Sequence, residues 1–160
     1  MRWMMVALLL LTLLPGCGRK PPYEGRSVAE LERMLEDPKP SVRARGALGL
    51  GLHGEKAKPA VPALARALGS SDPLVRQQAA ASLGKVGAAA EAAVPALTTA
   101  LKDGEWTVRR EAAVALGCMG AAAQTAEPAL QHCQADSSPL VRKAAAEALA
   151  RIQGKHTAGN

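Results

Sequence analysis

The chain of 160 residues contains no phenylalanine, one tyrosine and two tryptophans, an aromatic share of 2%. An interior built on large rings is therefore excluded. So is a row of aromatic platforms on which single-stranded nucleic acid stacks. The three histidines, His53, His132 and His156, are isolated, and adjacent His132 and Cys133 project in different directions from a helix. Neither a metal nor another cofactor is expected. There is no nucleophile elbow, no phosphate-binding glycine loop and no clustered carboxylate pair. A non-enzymatic protein is the expectation. The formal charge is +6. A basic balance is one mark of nucleic-acid binding, but the missing aromatics and an export signal oppose it. Attraction to anionic headgroups or envelope polymers is expected instead, and no nucleic-acid partner.

No apolar run reaches the roughly 20 residues that span a bilayer. The first residues, "MRWMMVALLLLTLLPGC", place one positive charge, Arg2, before an apolar stretch from Trp3 to Leu14. That pattern fits a signal peptide over 1–16. "LPGC" (Leu14 to Cys17) resembles the bacterial lipobox, with Pro15 an unusual occupant of its second position. The resemblance implies cleavage before Cys17 and lipidation there. Each buried methylene contributes about 0.8 kcal/mol, and stable anchoring needs more than one acyl chain. Residues 17–26, with Pro21-Pro22 between glycines, read as a tether. Gly18 stands where an aspartate retains some lipoproteins at the inner membrane. The expected location is the cell envelope, at the outer membrane or periplasmic face.

What the rest contains is a repeat. "DPLVRQQAAASLGKVG" (Asp72 to Gly87) returns 33 residues later as "EWTVRREAAVALGCMG". The same step carries Val42-Arg43, Val75-Arg76, Val108-Arg109 and Val141-Arg142, and also Leu31, Leu64, Leu97 and Leu130. A fixed period of roughly 20–50 residues marks a solenoid, and about three copies are needed for stability. Four copies are expected, about 27–59, 60–92, 93–125 and 126–154, with a polar tail over 155–160. Within the second, "VPALARAL" (Val61 to Leu68) spaces its apolar residues as a helix and carries proline in the first turn. "GSSDP" stops it and caps a second helix from about Leu74 to Val86, which Gly87 ends. Each copy is thus a pair of antiparallel helices, too apolar on one side to stand alone.

These four copies resemble HEAT repeats of the short bacterial kind, found also in phycobilin lyases. The resemblance implies an all-α, right-handed α-solenoid with the second helices lining its concave surface. It is weak for function, because one fold serves many ends. The deoxyhypusine hydroxylases, HEAT enzymes that this fold resembles, hold iron through paired His-Glu motifs, and no His-Glu pair occurs here. The expected function is a membrane-tethered scaffold or adaptor that binds another protein. A small lyase-type or cofactor-binding HEAT enzyme is the alternative.

Columns of the repeat sort residues by role. The four valines, Leu50, Leu83, Leu116 and Leu149, and Ala47, Ala80, Ala113 and Ala146 keep their type and read as core, as does the column of Gly46, Ala79, Ala112 and Ala145. Four other columns drift and fall on one outward stripe, including Ala44 and Ala144. The stripe offers Gln77, Gln78, Lys85, Arg110, Glu111, Lys143 and Arg151 as the partner-binding set. Arg43, Arg76, Arg109 and Arg142 recur once per copy. They are either a ladder for anionic groups or structural rivets bonded to carbonyls or to Asp37, Asp72, Asp103 or Asp136. An Arg fork suits the second role. Cys118 and Cys133 lie near the ends of successive antiparallel helices, offset by roughly 10 Å at about 1.5 Å per residue. That exceeds the about 7 Å limit between Cα atoms of a disulfide, so both are expected free and partly buried.

Overall fold

The computed structural model describes residues 23–154. The expected signal peptide over 1–16, Cys17, most of the expected tether over 17–26 and the expected tail over 155–160 lie outside the described residues.

Eight helices form four hairpins: α1 (Val28–Met34) with α2 (Pro40–Leu52), α3 (Val61–Ala67) with α4 (Pro73–Val86), α5 (Val94–Ala100) with α6 (Trp106–Met119), and α7 (Glu127–Cys133) with α8 (Pro139–Ile152). Local chemistry sets their starts. Ser27 accepts the Glu30 amide and Glu30 accepts the Ser27 amide, a reciprocal cap on α1. Asp72 accepts the amides of Leu74 and Val75 at the start of α4. Prolines open α2, α3, α4, α5, α7 and α8, where a missing N–H costs nothing. The hairpins are joined by 3₁₀ segments, Gly54–Ala60, Gly87–Ala93 and Gly120–Ala126, which the helical spacing does not reveal. Gly87 ends α4 with φ of +69°, a conformation open to glycine.

The core follows the 33-residue columns. Leu31, Leu64, Leu97 and Leu130 of the first helices are fully buried, as are Leu50, Leu83 and Leu116 of the second. Each such leucine contributes about 1.5–3 kcal/mol of burial. The end hairpins depart from the expected core in opposite ways. Val42 is only half-buried, whereas Val75, Val108 and Val141 are inaccessible. Ala146 is exposed, whereas Ala47, Ala80 and Ala113 are inaccessible. Val75 lines a cavity with Leu35 and Arg43 of the hairpin before it, and the Ala47 carbonyl accepts the Ser82 hydroxyl of the hairpin after it. Val42 and Ala146 have no such neighbour among the described residues.

Successive second helices pack closely, α2 on α4, α4 on α6 and α6 on α8, while α3 and α5 barely touch. Small side chains permit this approach. A Cβ built on Gly51 would meet Ser82, one on Gly84 would meet Ala115, and one on Gly117 would meet Ala148. With the second helices close and the first helices splayed, the stack bends so that α2, α4, α6 and α8 form its inner layer.

Candidate functional site

The inner layer presents the outward stripe of the second helices. Lys85, Lys143 and Arg151 are exposed, and Gln77, Gln78, Arg110 and Glu111 are half-buried. Two members of the drifting columns fall elsewhere: Ala44 and Ala144 are buried. A methyl side chain there is too short to clear the adjacent helices, where Arg45 and Lys143 reach solvent. Arg110 pairs with Glu111, and its Nε is buried without a hydrogen-bond partner among the described residues. Lys143 lies 3.9 Å from Glu147, one turn along α8. Arg151 Nη1 donates to Cys118 Sγ of the adjacent helix at 3.8 Å. The polar set thus lies on α4, α6 and α8, which pack side by side.

A polar reading of the sequence missed the apolar half of this face. Leu52 is 62% exposed and Val114 37%. Leu74, Trp106 and Leu140 are also exposed, at the starts of α4, α6 and α8. Leu52 and Val114 stand in the same drifting columns as Lys85 and Glu147, so the signal was present. Exposed apolar side chains thus stand on the same helices as the Arg, Lys and Gln side chains of the stripe.

The arginine column lies along the turn between the helices of each hairpin. Every Nη1 donates to two backbone carbonyls of its own turn. Arg43 takes Asp37 and Pro38, Arg76 takes Ser70 and Ser71, Arg109 takes Asp103 and Gly104, and Arg142 takes Asp136 and Ser137. Two then reach the next hairpin. Arg76 grips Asp103 through Nε and Nη2 at 2.7 and 2.8 Å, and Arg109 grips Asp136 at 2.7 and 2.9 Å. These bidentate bonds raise both arginines above the ordinary value. Bonding to Arg109 holds Asp136 below the usual carboxylate range. Burial pushes Asp103 up, and its bonds to Arg76 and the Glu105 amide outweigh that and hold it low. Of the four candidate aspartates, Asp103 and Asp136 hold an arginine by the carboxylate. Asp72 is occupied as a helix cap, and Asp37 offers Arg43 only its carbonyl.

Cys118 and Cys133 are free thiols. Cys133 is buried more fully than expected, and burial pushes its thiol up. Cys118 is exposed on the inner face rather than partly buried. Among the described residues no group of three His, Cys, Asp or Glu side chains could hold a metal ion, and no helix is long and apolar enough to cross a membrane.

The family model for HEAT repeats matches residues 28–117 and 94–158, nearly the whole described chain. The protein therefore belongs to the HEAT-repeat family. No curated protein matches the sequence. Among solved structures, the complex of CpcE and CpcF of phycocyanin lyase from Nostoc sp. PCC7120 is similar, with 28% identity, a TM-score of 0.67, and coverage of 79% of this chain and 53% of that one. Human deoxyhypusine hydroxylase in complex with glycerol shares 32% identity and a TM-score of 0.65, over 84% of this chain and 46% of that one. An engineered protein at 24% identity and a TM-score of 0.65, over 80% of this chain and 63% of that one, shares the fold. The chain spans about half to two thirds of the length of these structures.

Proposed function

We propose that this protein is a binding module for another protein, presented at a bacterial envelope membrane by a lipidated Cys17. The observation that carries the binding role is the inner face: a strip of Gln, Lys and Arg side chains interrupted by exposed Leu52, Leu74, Val114 and Leu140. Solenoids offer such extended surfaces because each repeat adds one row to them. The similar CpcE–CpcF structure is itself a complex of two chains, which accords with a protein partner for this fold. The lipobox-like "LPGC" supports the anchor, and the tether over 17–26 sets the repeats off the bilayer. A scaffold or adaptor role accords with a tether that carries an extended face for a partner.

Photoreactive residues at positions 77, 110 and 143 test this in the native organism. Each crosslinks the same partner protein, while position 66 or 131 on the first helices gives no such adduct. Equal adducts from both layers sink the inner-face assignment. Cys17→Ala releases the protein from the membrane fraction; retention there sinks the lipid anchor.

A lyase-type activity is the second reading, favoured by the similarity to phycocyanin lyase. It requires a bound pigment or its transfer, and the absorbance spectrum of protein purified from its native organism decides between the two.

A further inference from the structure

The arginine ladder has an incomplete rung between the first two hairpins, where a following hairpin is present to supply a partner. Asp103 completes it for Arg76 and Asp136 for Arg109, and in the hairpin before them the corresponding residue is Ser70. Arg43 keeps the two carbonyl bonds that its counterparts make, at 2.9 and 3.0 Å. Its Nε and Nη2, the atoms that grip a carboxylate in the complete rungs, meet no acceptor among the described residues. Ser70 performs only the local part of the aspartate's role: its Oγ accepts the Asp72 amide at 3.3 Å, as Asp103 Oδ1 accepts the Glu105 amide at 2.9 Å. Beside this gap lies a cavity of about 310 Å³ that Arg43 and Ser70 line, with Leu35 and Ala67 among its apolar walls. Arg66 and Glu36 also line it, so that with Arg43 the charged side chains of the cavity sum to one net positive charge.

We propose that this cavity binds a carboxylate carried on a short aliphatic stem, gripped by Arg43 Nε and Nη2 as Arg76 and Arg109 grip their aspartates. The planar fork of two parallel N–H groups matches a carboxylate in shape and charge. The apolar walls suit the methylenes behind it, and about 310 Å³ accommodates a group of that size. A free short-chain acid and a glutamate side chain of a partner protein share this chemistry. The site lies at the turn edge of the first two hairpins and does not rest on the inner face being a docking surface.

The test uses the full chain in detergent micelles, labelled with ¹⁵N and observed at the arginine Nε–H signals. Sodium butyrate and N-acetylglutamate N-methylamide are titrated separately, against sodium chloride at matched ionic strength. The Arg43 signal moves saturably with a carboxylate and not with chloride, while the Arg76 and Arg109 signals stay. Response to butyrate assigns a small acid, and response to the glutamate derivative alone assigns a protein side chain. Ser70→Asp fills the rung from within, abolishes the response and raises Tm by about 2–4 °C. In a parallel thermal titration, whichever carboxylate moves the Arg43 signal also raises the Tm of the native chain but not of Arg43→Gln. The proposal is overturned if neither carboxylate moves the Arg43 signal, or if Ser70→Asp leaves the response intact.

Discussion

Gly84 of α4 faces Ala115 of α6 so closely that a Cβ on the glycine would lie 3.0 Å from the Ala115 Cα. The neighbour is backbone, which cannot turn aside. Gly84→Val therefore forces α4 and α6 apart. Overpacking of this kind costs about 1–3 kcal/mol, which thermal unfolding reads as a fall in Tm. Gly104→Val is the contrast, since nothing lies within 4 Å of its Cβ position. Equal losses at both positions would mean that close helix approach is not what Gly84 secures.

Arg109→Met removes two carbonyl bonds and the bidentate grip on Asp136, a carboxylate only 11% exposed, so that Oδ2 loses its partner while Oδ1 keeps the Ser138 amide. Leaving a largely buried polar group unpaired costs about 1–3 kcal/mol. Arg142→Met removes the same two carbonyl bonds but no ion pair. The Tm therefore falls further for Arg109→Met than for Arg142→Met, and binding through the inner face persists in both. Loss of partner binding at unchanged Tm would instead make the column an anion ladder.

Asp136 is held below its ordinary value of 3.8 by its bonds to Arg109. A carboxylate whose folded value is depressed contributes stability in full above the unfolded value, and loses it as pH falls through the folded one. The Tm difference between the native chain and Asp136→Asn is accordingly constant at neutral pH. It shrinks as pH is lowered below about 4. A difference independent of pH down to acid unfolding would show that the charge on Asp136 contributes nothing.

The hairpins were legible because their core repeats in register: Leu64, Leu97 and Leu130 meet the same surroundings every 33 residues, so the chain states one packing solution several times. Interactions between hairpins were not, because they join different columns. Arg76 and Asp103 stand 27 residues apart, and nothing in the period marks that offset over the nearer Asp72. Gly84 meets Ala115 across two columns, and although glycine recurs inside helices at 51, 84 and 117, where it costs about 1 kcal/mol, the period does not say which residue comes close to it. Ser82, buried with its hydroxyl on the Ala47 carbonyl at 2.7 Å, is a third such link. The inner face was found by its variability, but only its polar members were named, and Leu52 and Val114 had to be seen exposed.

The two described cysteines stand at opposite extremes of access. Cys118 lies open on α6, and Cys133 is buried beside the Leu101 carbonyl, 3.9 Å from its Sγ. The thiolate is the reactive form, and burial raises the Cys133 thiol. Iodoacetamide therefore alkylates Cys118 in the native protein, and Cys133 only after unfolding, as peptide mass mapping reads directly. Resistance of both after unfolding without reductant would reveal a disulfide.

Val114 separates binding from folding more cleanly than its polar neighbours do. Arg110 and Glu111 are paired and half-buried, so replacing either disturbs the helix surface as well as any contact. Val114 is 37% exposed in the middle of α6, with Arg110 one turn before it and Cys118 one turn after. Val114→Glu places a charge where the inner face offers an apolar contact, and solvent still reaches it in the free protein. Surface replacements of this kind change stability by about 0.5 kcal/mol or less. An unpaired charge trapped against a partner costs about 2 kcal/mol or more, roughly a 30-fold loss of affinity. Val114→Glu therefore abolishes crosslinking from positions 77, 110 and 143 at a nearly unchanged Tm, while Gln131→Glu on the outer layer leaves it intact. Undiminished crosslinking with Val114→Glu would mean that the apolar half of the inner face is not a binding surface.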